Sequence, residues 1–169
     1  MRLSARVDYA LRAAAELAAG AANAGLLTAE RLASAQQIPP KFLESILLQL
    51  RRGGIVTAQR GPEGGYRLAR PANEISLAEV IRVIDGPLAN VRGARPESVE
   101  YAGSASHLAE VWIAVRVSLR SVLERVTLAD LVAGVLPASV KELTNDADAW
   151  VSRSAGGHTP PPPPRRPPR

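Results

Sequence analysis

Apolar residues recur at three- and four-residue steps along the first third of the chain, which is the period of helices that bury one face. The first such segment covers residues 4–19, with Ser4 at its N-cap. A second helix is predicted from its cap, Thr28, to about Gln36, and a third over residues 41–52. The apolar positions of the third helix predict a buried stripe of Phe42, Leu43, Ile46, Leu47 and Leu50.

After Gly53-Gly54 the apolar period shortens from about 3.6 residues to two, which indicates strands. Two strands are predicted, over residues 55–59 and 66–69, and the turn-rich segment Arg60-Gly61-Pro62-Glu63-Gly64-Gly65 joins them into a hairpin. A further helix to Asp85 follows, opened by a capping box of Ser76 and Glu79.

The helical period returns in the second half of the chain. Residues 88–104 have weak periodicity and are predicted to form a loop, and a long helix follows over about 106–126. Thr127 is predicted to cap a short helix after it. Apolar positions in the long helix alternate between steps of four and three, which is typical of a coiled-coil seam but also of packing within one chain. The predicted seam consists of Leu108, Trp112, Val115, Leu119, Val122 and Val126.

Two helices, a proline-containing turn, a basic helix and a hairpin follow one another in the order of a winged helix-turn-helix. The predicted fold is therefore mainly α with a small β-hairpin wing, followed by a long dimerisation helix. We divide the chain into a DNA-binding domain (1–87), a loop (88–105), the dimerisation helix with short terminal helices (106–150) and a disordered tail (151–169). The tail is rich in Pro and Arg, and it is either passive, a ligand for a partner, or a source of non-specific DNA attraction.

Charge is unevenly distributed along the chain. Residues 1–70 contain ten Lys/Arg against five Asp/Glu, whereas residues 71–150 contain seven against eleven. A basic segment beside an acidic one indicates that the first meets a polyanion, and also occurs on ordinary solvated surfaces. In a winged helix-turn-helix, a helix fits the major groove and a glycine-rich hairpin tip can approach the backbone or the minor groove. Arg60, at the base of the tip, suits the negative potential of the minor groove.

The composition excludes several other classes of protein. The absence of cysteine rules out disulfides and thiolate-bound metals within the chain. No apolar run is long enough for a membrane span, and the first residues lack the apolar core of a signal peptide, so we expect a cytoplasmic protein. No acid–base or nucleophile constellation stands out, and both histidines are isolated, so we do not expect an enzyme.

Several motifs occur in the order found in one bacterial family, the Rrf2 transcriptional regulators, and the chain resembles that family over about residues 1–135. The motifs that carry the resemblance include Pro40-Lys41-Phe42-Leu43-Glu44, Leu50-Arg51-Arg52-Gly53-Gly54-Ile55-Val56, Arg60-Gly61-Pro62-Glu63-Gly64-Gly65-Tyr66-Arg67-Leu68 and Val126-Thr127-Leu128-Ala129-Asp130-Leu131-Val132. The resemblance implies a homodimeric DNA-binding regulator, expected to be a repressor, whose long helix forms the dimer. A two-fold dimer in turn predicts a palindromic operator on double-stranded DNA.

The resemblance also carries over site residues by position. Lys41, Glu44 and Ser45 lie at the start of the recognition helix, and a carboxylate such as Glu44 can accept a hydrogen bond from cytosine N4. Arg60 matches the wing arginine that reaches the minor groove. Phosphate contacts are expected from Thr28, Gln59 and, unless it is only a solvated helix end, Arg51. Tyr66 is expected to pack within the wing.

The chain departs from the family in the loop before the long helix. Many members bind an iron–sulfur cluster there through cysteines, whereas residues 91–107 contain none, so no cofactor is expected. Asp8 is read as a surface or capping charge and His107 as an exposed residue at a helix start. Three modes of regulation stay open: action through a partner protein, binding of a small molecule between the winged domain and the long helix, and constitutive repression. The alternative function is a protein-interaction adaptor that kept the fold without reading DNA.

Overall fold

A computed structural model describes residues 3–21 and 25–151 of the 169-residue chain. The chain divides into two units, Met1–Val135 and Leu136–Arg169. The first unit contains six helices and one antiparallel hairpin among its described residues: α1 (Ala5–Gly20), α2 (Ala29–Gln36), α3 (Pro40–Arg52), β1 (Val56–Gln59), β2 (Gly65–Leu68), α4 (Leu77–Asp85), α5 (Leu108–Leu123) and α6 (Leu128–Ala133). The mainly helical prediction with one hairpin is therefore confirmed.

Helix α1 is the centre of the first unit. Ser4 caps it by accepting a hydrogen bond from the Val7 amide, as predicted. Its inner face is built from small residues, and Ala10, Ala13 and Ala14 have no exposed surface. Helices α2, α3, α4 and α6 all pack against it, because alanines let the neighbouring helices approach closely. This arrangement fixes the position of α3 relative to the rest of the domain.

The segment after α5 closes the core from the other end of the unit. The Leu77 amide donates to the Val126 carbonyl and the Leu128 amide to the Ile75 carbonyl, both at 2.9 Å. Val126 is 3% exposed and Leu128 fully buried, so both belong to the interior of the unit. The prediction of one helix reaching Val126 is wrong, because α5 ends at Leu123. Val126 therefore lies inside the chain and is not available to a partner.

Helix α5 packs on the first unit along only part of its surface. The other five predicted seam residues are partly exposed, and Val111, beside them, is 52% exposed. In the preceding loop, regular structure among the described residues is limited to single 3-10 turns and one bridge between Val91 and Ala94. Pro96 is fully buried and anchors that loop. The first unit, Met1–Val135, includes α6, which packs against α1 of the winged domain.

The second unit, as far as it is described, contains α7 (Ala138–Asn145) and a 3-10 turn over Ala147–Trp150. The Trp150 indole donates to the Thr144 carbonyl at 2.8 Å and links the two. The predicted disordered tail falls, from residue 152 onward, outside the described residues. Among the residues that are described, no helix is long and apolar enough to cross a membrane.

Two reciprocal capping boxes fix the starts of α4 and α6. At α4, Ser76 Oγ accepts from the Glu79 amide at 3.2 Å and Glu79 accepts from the Ser76 amide at 3.0 Å, as predicted. Thr127 caps α6 in the same way with Asp130. Burial opposes the ionisation of Glu79, but the Ser76 amide and the Arg70 guanidinium together lower its pKa. The charged form of Glu79 therefore stabilises the folded state.

Replacing Glu79 with glutamine tests this charge, because Gln keeps the shape of the capping box. A lowered pKa means that the stabilisation is present above the ordinary value of 4.5 and is lost as the pH falls through the lowered value. We expect Glu79→Gln to be less stable than the parent at neutral pH, with the two converging in acid. Urea unfolding across this range measures the difference, with the exposed Glu63→Gln as control. A constant difference at all pH values would contradict the assignment.

Candidate nucleic-acid interface

Helices α2 and α3 form a helix-turn-helix joined by a tight turn. Gln37 ends α2 in the left-handed region at φ 50°, and the Ile38 amide donates to the Ala33 carbonyl at 2.9 Å. The Ile38 side chain is buried beneath the turn. Pro40 is the first residue of α3, where its missing amide hydrogen costs nothing. The turn therefore places α3 on the surface with its apolar stripe inward.

The outward face of α3 is exposed along its whole length. Residues spaced three, four and seven apart share one side of a helix. On α3 this side carries two basic side chains at its C-terminal end and a basic, an acidic and a hydroxyl side chain at its start. This face consists of Lys41, Glu44, Ser45, Leu48, Arg51 and Arg52, all exposed. The Ser45 hydroxyl donates to the Phe42 carbonyl at 2.9 Å. The α3 residues that the sequence predicted as a site thus lie together on one surface.

One residue of the predicted buried stripe is not buried. Phe42 is 52% exposed, and its ring meets the edge of Tyr9 at a centroid distance of 6.2 Å. The Arg12 guanidinium lies 5.5 Å from the centre of the Tyr9 ring and pairs with Asp8 at 3.1 Å. Phe42 lies in the first turn of α3, and its edge contact with Tyr9 of α1 covers it only in part. Asp8 is a surface charge, as expected.

Leu48 is an exposed apolar residue that the sequence reasoning missed. It is 46% exposed at the middle of the outward face of α3. Its exposure could have been inferred from the sequence, because Leu48 lies seven residues after Lys41 and both fall on one side of the helix. An apolar side chain at this place can contact the methyl group of thymine.

The wing is a short hairpin with a constrained tip. Strands β1 and β2 pair from Val56–Leu68 to Gln59–Gly65, which leaves Arg60 as the first residue of the tip. Gly61 lies at φ 112° and the Gly64 amide donates to its carbonyl at 2.9 Å. The side chains of Gln59 and Arg60 are exposed.

A third segment joins the wing and was not predicted. Leu27 forms an antiparallel bridge with Tyr66, through hydrogen bonds of 3.0 and 2.8 Å between their backbones. Thr28, the next residue, caps α2 by accepting from the Arg31 amide. The start of α2 is therefore tied to the wing. The partly buried Tyr66 packs against the core, as expected.

The exposed basic groups of this region are largely free of ion pairs. Lys41, Arg51 and Arg60 pair with no acidic group within the part of the chain that the structure describes. The same holds for Arg31 on α2 and Arg67 on β2, two exposed arginines that the sequence reasoning did not single out. Unpaired surface cations beside a helix-turn-helix suit an interaction with phosphates.

Comparison with known proteins gives consistent results. Residues 3–134 match the Rrf2 family, described as iron-dependent transcriptional regulators. A protein of Mycobacterium tuberculosis (strain ATCC 25618 / H37Rv), named as an HTH-type transcriptional regulator, is 49% identical over 92% of this chain and 96% of its own. The structure of CymR from B. subtilis is similar with a TM-score of 0.67 and 30% identity, covering 79% of this chain and 98% of that one. The IscR of T. potens gives a TM-score of 0.65 at 29% identity, over 79% and 88%.

The residues of this chain do not fit an iron–sulfur cluster. Such clusters are held mainly by cysteine thiolates, and the sequence has none. In the loop before α5, Glu97 is paired with Arg116, and His107 is 86% exposed beside Glu110. No group of three or more His, Cys, Asp or Glu side chains is gathered for a metal within residues 3–21 and 25–151. His107 is an exposed residue at the start of α5, as expected.

Gly64→Ala tests the geometry of the wing tip. An added Cβ would lie 2.5 Å from the Gln59 carbonyl oxygen and 2.7 Å from that of Gly61, so the tip must rearrange. We expect the amide resonances of residues 59–65 to shift while those of α1 and α3 stay in place. The matched control is Glu63→Ala, whose side chain is exposed. An unperturbed tip in Gly64→Ala would contradict the described conformation.

Proposed function

The chain belongs to the Rrf2 family of transcriptional regulators, and we propose that it acts as a homodimeric repressor that reads a palindromic operator through α3 and the wing. The observation that carries this proposal is the outward face of α3, which is exposed and includes cations with no partner among the described residues. A dimer bound to its operator covers the DNA that it reads, which blocks transcription where the operator overlaps a promoter.

Base recognition is assigned to the first two turns of α3. Lys41, Glu44 and Ser45 are exposed together there. Lysine can donate to guanine O6 and N7, and a carboxylate can accept from cytosine N4, so the pair favours G·C base pairs. The Ser45 proton is directed to the Phe42 carbonyl, which leaves its oxygen free to accept.

Backbone and minor-groove contacts are assigned to the wing and the helix ends. Arg60 projects from the wing tip, with Gln59 exposed beside it. Arg51, at the end of α3, and Thr28, at the start of α2, flank this surface. Contacts of this kind fix the register of the protein on the duplex and contribute most of the salt-dependent affinity.

The dimer is assigned to α5. Its predicted seam, shortened to Leu108, Trp112, Val115, Leu119 and Val122, keeps exposed surface in the single chain, and Val111 extends it. Covering apolar surface of this kind with a second copy lowers the free energy of the pair. An isologous contact along one helix produces a two-fold axis, and a two-fold protein matches a palindromic site.

Removal of single side chains tests the DNA-reading surface. Arg60→Ala is expected to weaken binding by about tenfold and to reduce the salt slope by about one. Glu44→Ala is expected to relax sequence preference by about 1–3 kcal/mol at the base pair it reads. Fluorescence anisotropy against duplexes from the gene's own promoter, at two salt concentrations, measures the first effect, and selection from a random duplex pool measures the second.

The control for both variants is Arg125→Ala, an exposed arginine beyond the end of α5. If Arg60→Ala and Glu44→Ala both behave like the parent, the site assignment is wrong. If the parent itself binds no duplex at low salt, the adaptor function replaces the DNA-reading one.

The dimer seam is tested by a charge placed on either side of α5. Two residues along a helix turn the side-chain direction by about 200°, so Val115 and Val117 face nearly opposite ways. Light scattering of the parent is expected to give twice the 17.9 kDa chain mass, and Val115→Glu should give the monomer. Val117→Glu, at a position 55% exposed, should leave the dimer intact. The reverse pattern would place the interface on the other face.

A further inference from the structure

A pocket of about 410 Å³ lies where the C-terminal end of α4, the loop after it and α5 come together. All of its walls belong to the first unit. Its charged lining consists of one acidic side chain and four basic ones: Glu97, Arg82, Arg95, Arg116 and Arg120. Four guanidinium groups around one cavity repel one another unless anions lie between them.

The protein's own carboxylates neutralise only part of this charge. Glu97 pairs with Arg116. Glu124, at the end of α5, pairs with Arg82 and lies 3.8 Å from the Arg120 Nε. Arg95 has no ion pair among the residues that the structure describes. Two carboxylates thus serve four arginines, which leaves two positive charges uncompensated.

Arg116 has an unused hydrogen-bond donor. Its side chain is only 15% exposed, because it is enclosed between α5 and the loop. Its Nε is shielded from solvent and has no acceptor among the described residues. An unsatisfied buried donor is costly, so an acceptor that reached it would stabilise the site.

The four arginines and one glutamate that line the pocket give it a net positive charge. A hydrogen bond from the backbone amide of Glu97, then the Arg116 guanidinium and the charge of Arg95, lower the pKa of the Glu97 carboxyl group. Arg116 and Arg95, which contribute to this lowering, would also attract an anion that enters from solution.

We propose that this pocket binds a small dianion, a molecule that presents a phosphate group or two carboxylates. Guanidinium groups match both in a two-pronged hydrogen-bond geometry, and the volume lies in the range of small-ligand sites. Buried Pro96 fixes the loop between Arg95 and Glu97, so this wall of the pocket is formed in advance. The ligand would bridge α4, through Arg82, to α5, through Arg116 and Arg120.

The inference does not depend on DNA reading, and the experiment uses the full chain without DNA. Isothermal titration with inorganic phosphate and, separately, with succinate measures binding, with acetate as the singly charged comparison. We expect saturable binding of at least one dianion and weaker binding of acetate. Binding of phosphate but not succinate would identify a phosphorylated ligand, and binding of succinate but not phosphate would identify a dicarboxylate.

Variants localise the site. Arg95→Gln and Arg116→Gln should each weaken the binding about tenfold. Arg95→Gln keeps the test decisive if loss of Arg116 impairs folding, since Arg95 is exposed and makes no ion pair with a described residue. Glu97→Gln removes the competing carboxylate and should tighten the binding. The matched control Arg125→Gln and the wing variant Arg60→Ala should bind as the parent does.

Three results would overturn the proposal. The first is the absence of saturable binding of both phosphate and succinate. The second is an equal loss in Arg95→Gln and Arg125→Gln, which would indicate attraction by the overall charge. The third is weaker binding in Glu97→Gln, which would show that this carboxylate supports the ligand. Normal dianion binding in Arg60→Ala with lost DNA affinity would keep this site distinct from the DNA-reading surface.

Discussion

Close packing against the alanine face of α1 is the interaction on which the rest of the first unit depends. Ala10, Ala13 and Ala14 are completely buried, and four other helices meet at this face. Side chains this small leave no room for rearrangement, because an added methylene group in a packed core forces its neighbours apart. The orientation of α3, and hence of every side chain on its outward face, follows from how closely its backbone can approach α1.

Local signals of the sequence predicted much of this fold. Ser4, Thr28, Ser76 and Thr127 all cap the helices they were expected to cap, because a capping side chain bonds to amides only two or three residues away. The face of α3 was also predictable, since a single helix fixes the spacing of Lys41, Glu44 and Ser45 relative to one another.

Features that depend on contacts distant in the sequence were not predictable. Phe42 fits the apolar period of α3, but how far it is covered depends on how α1, through Tyr9, packs beside it. Val126 fits the heptad period, yet its backbone bonds to Leu77 and the helix stops before it. The arginines of the pocket come from α4, the loop and α5, and no motif connects such scattered positions. The period of apolar residues predicts which face of a helix is buried. Which other elements cover that face is decided by the tertiary fold.

The bridge between Leu27 and Tyr66 has a mechanical consequence. It joins the entrance to α2 to the hairpin through two backbone hydrogen bonds, which restrict the motion of Thr28 relative to the wing. Under the proposed function, the offset between the phosphate contact of Thr28 and the contacts of the wing is then set by the protein. A duplex with a different groove width would have to deform to match that offset, and the DNA would carry the deformation energy. Sequences that bend or narrow easily would be favoured even at base pairs that no side chain touches.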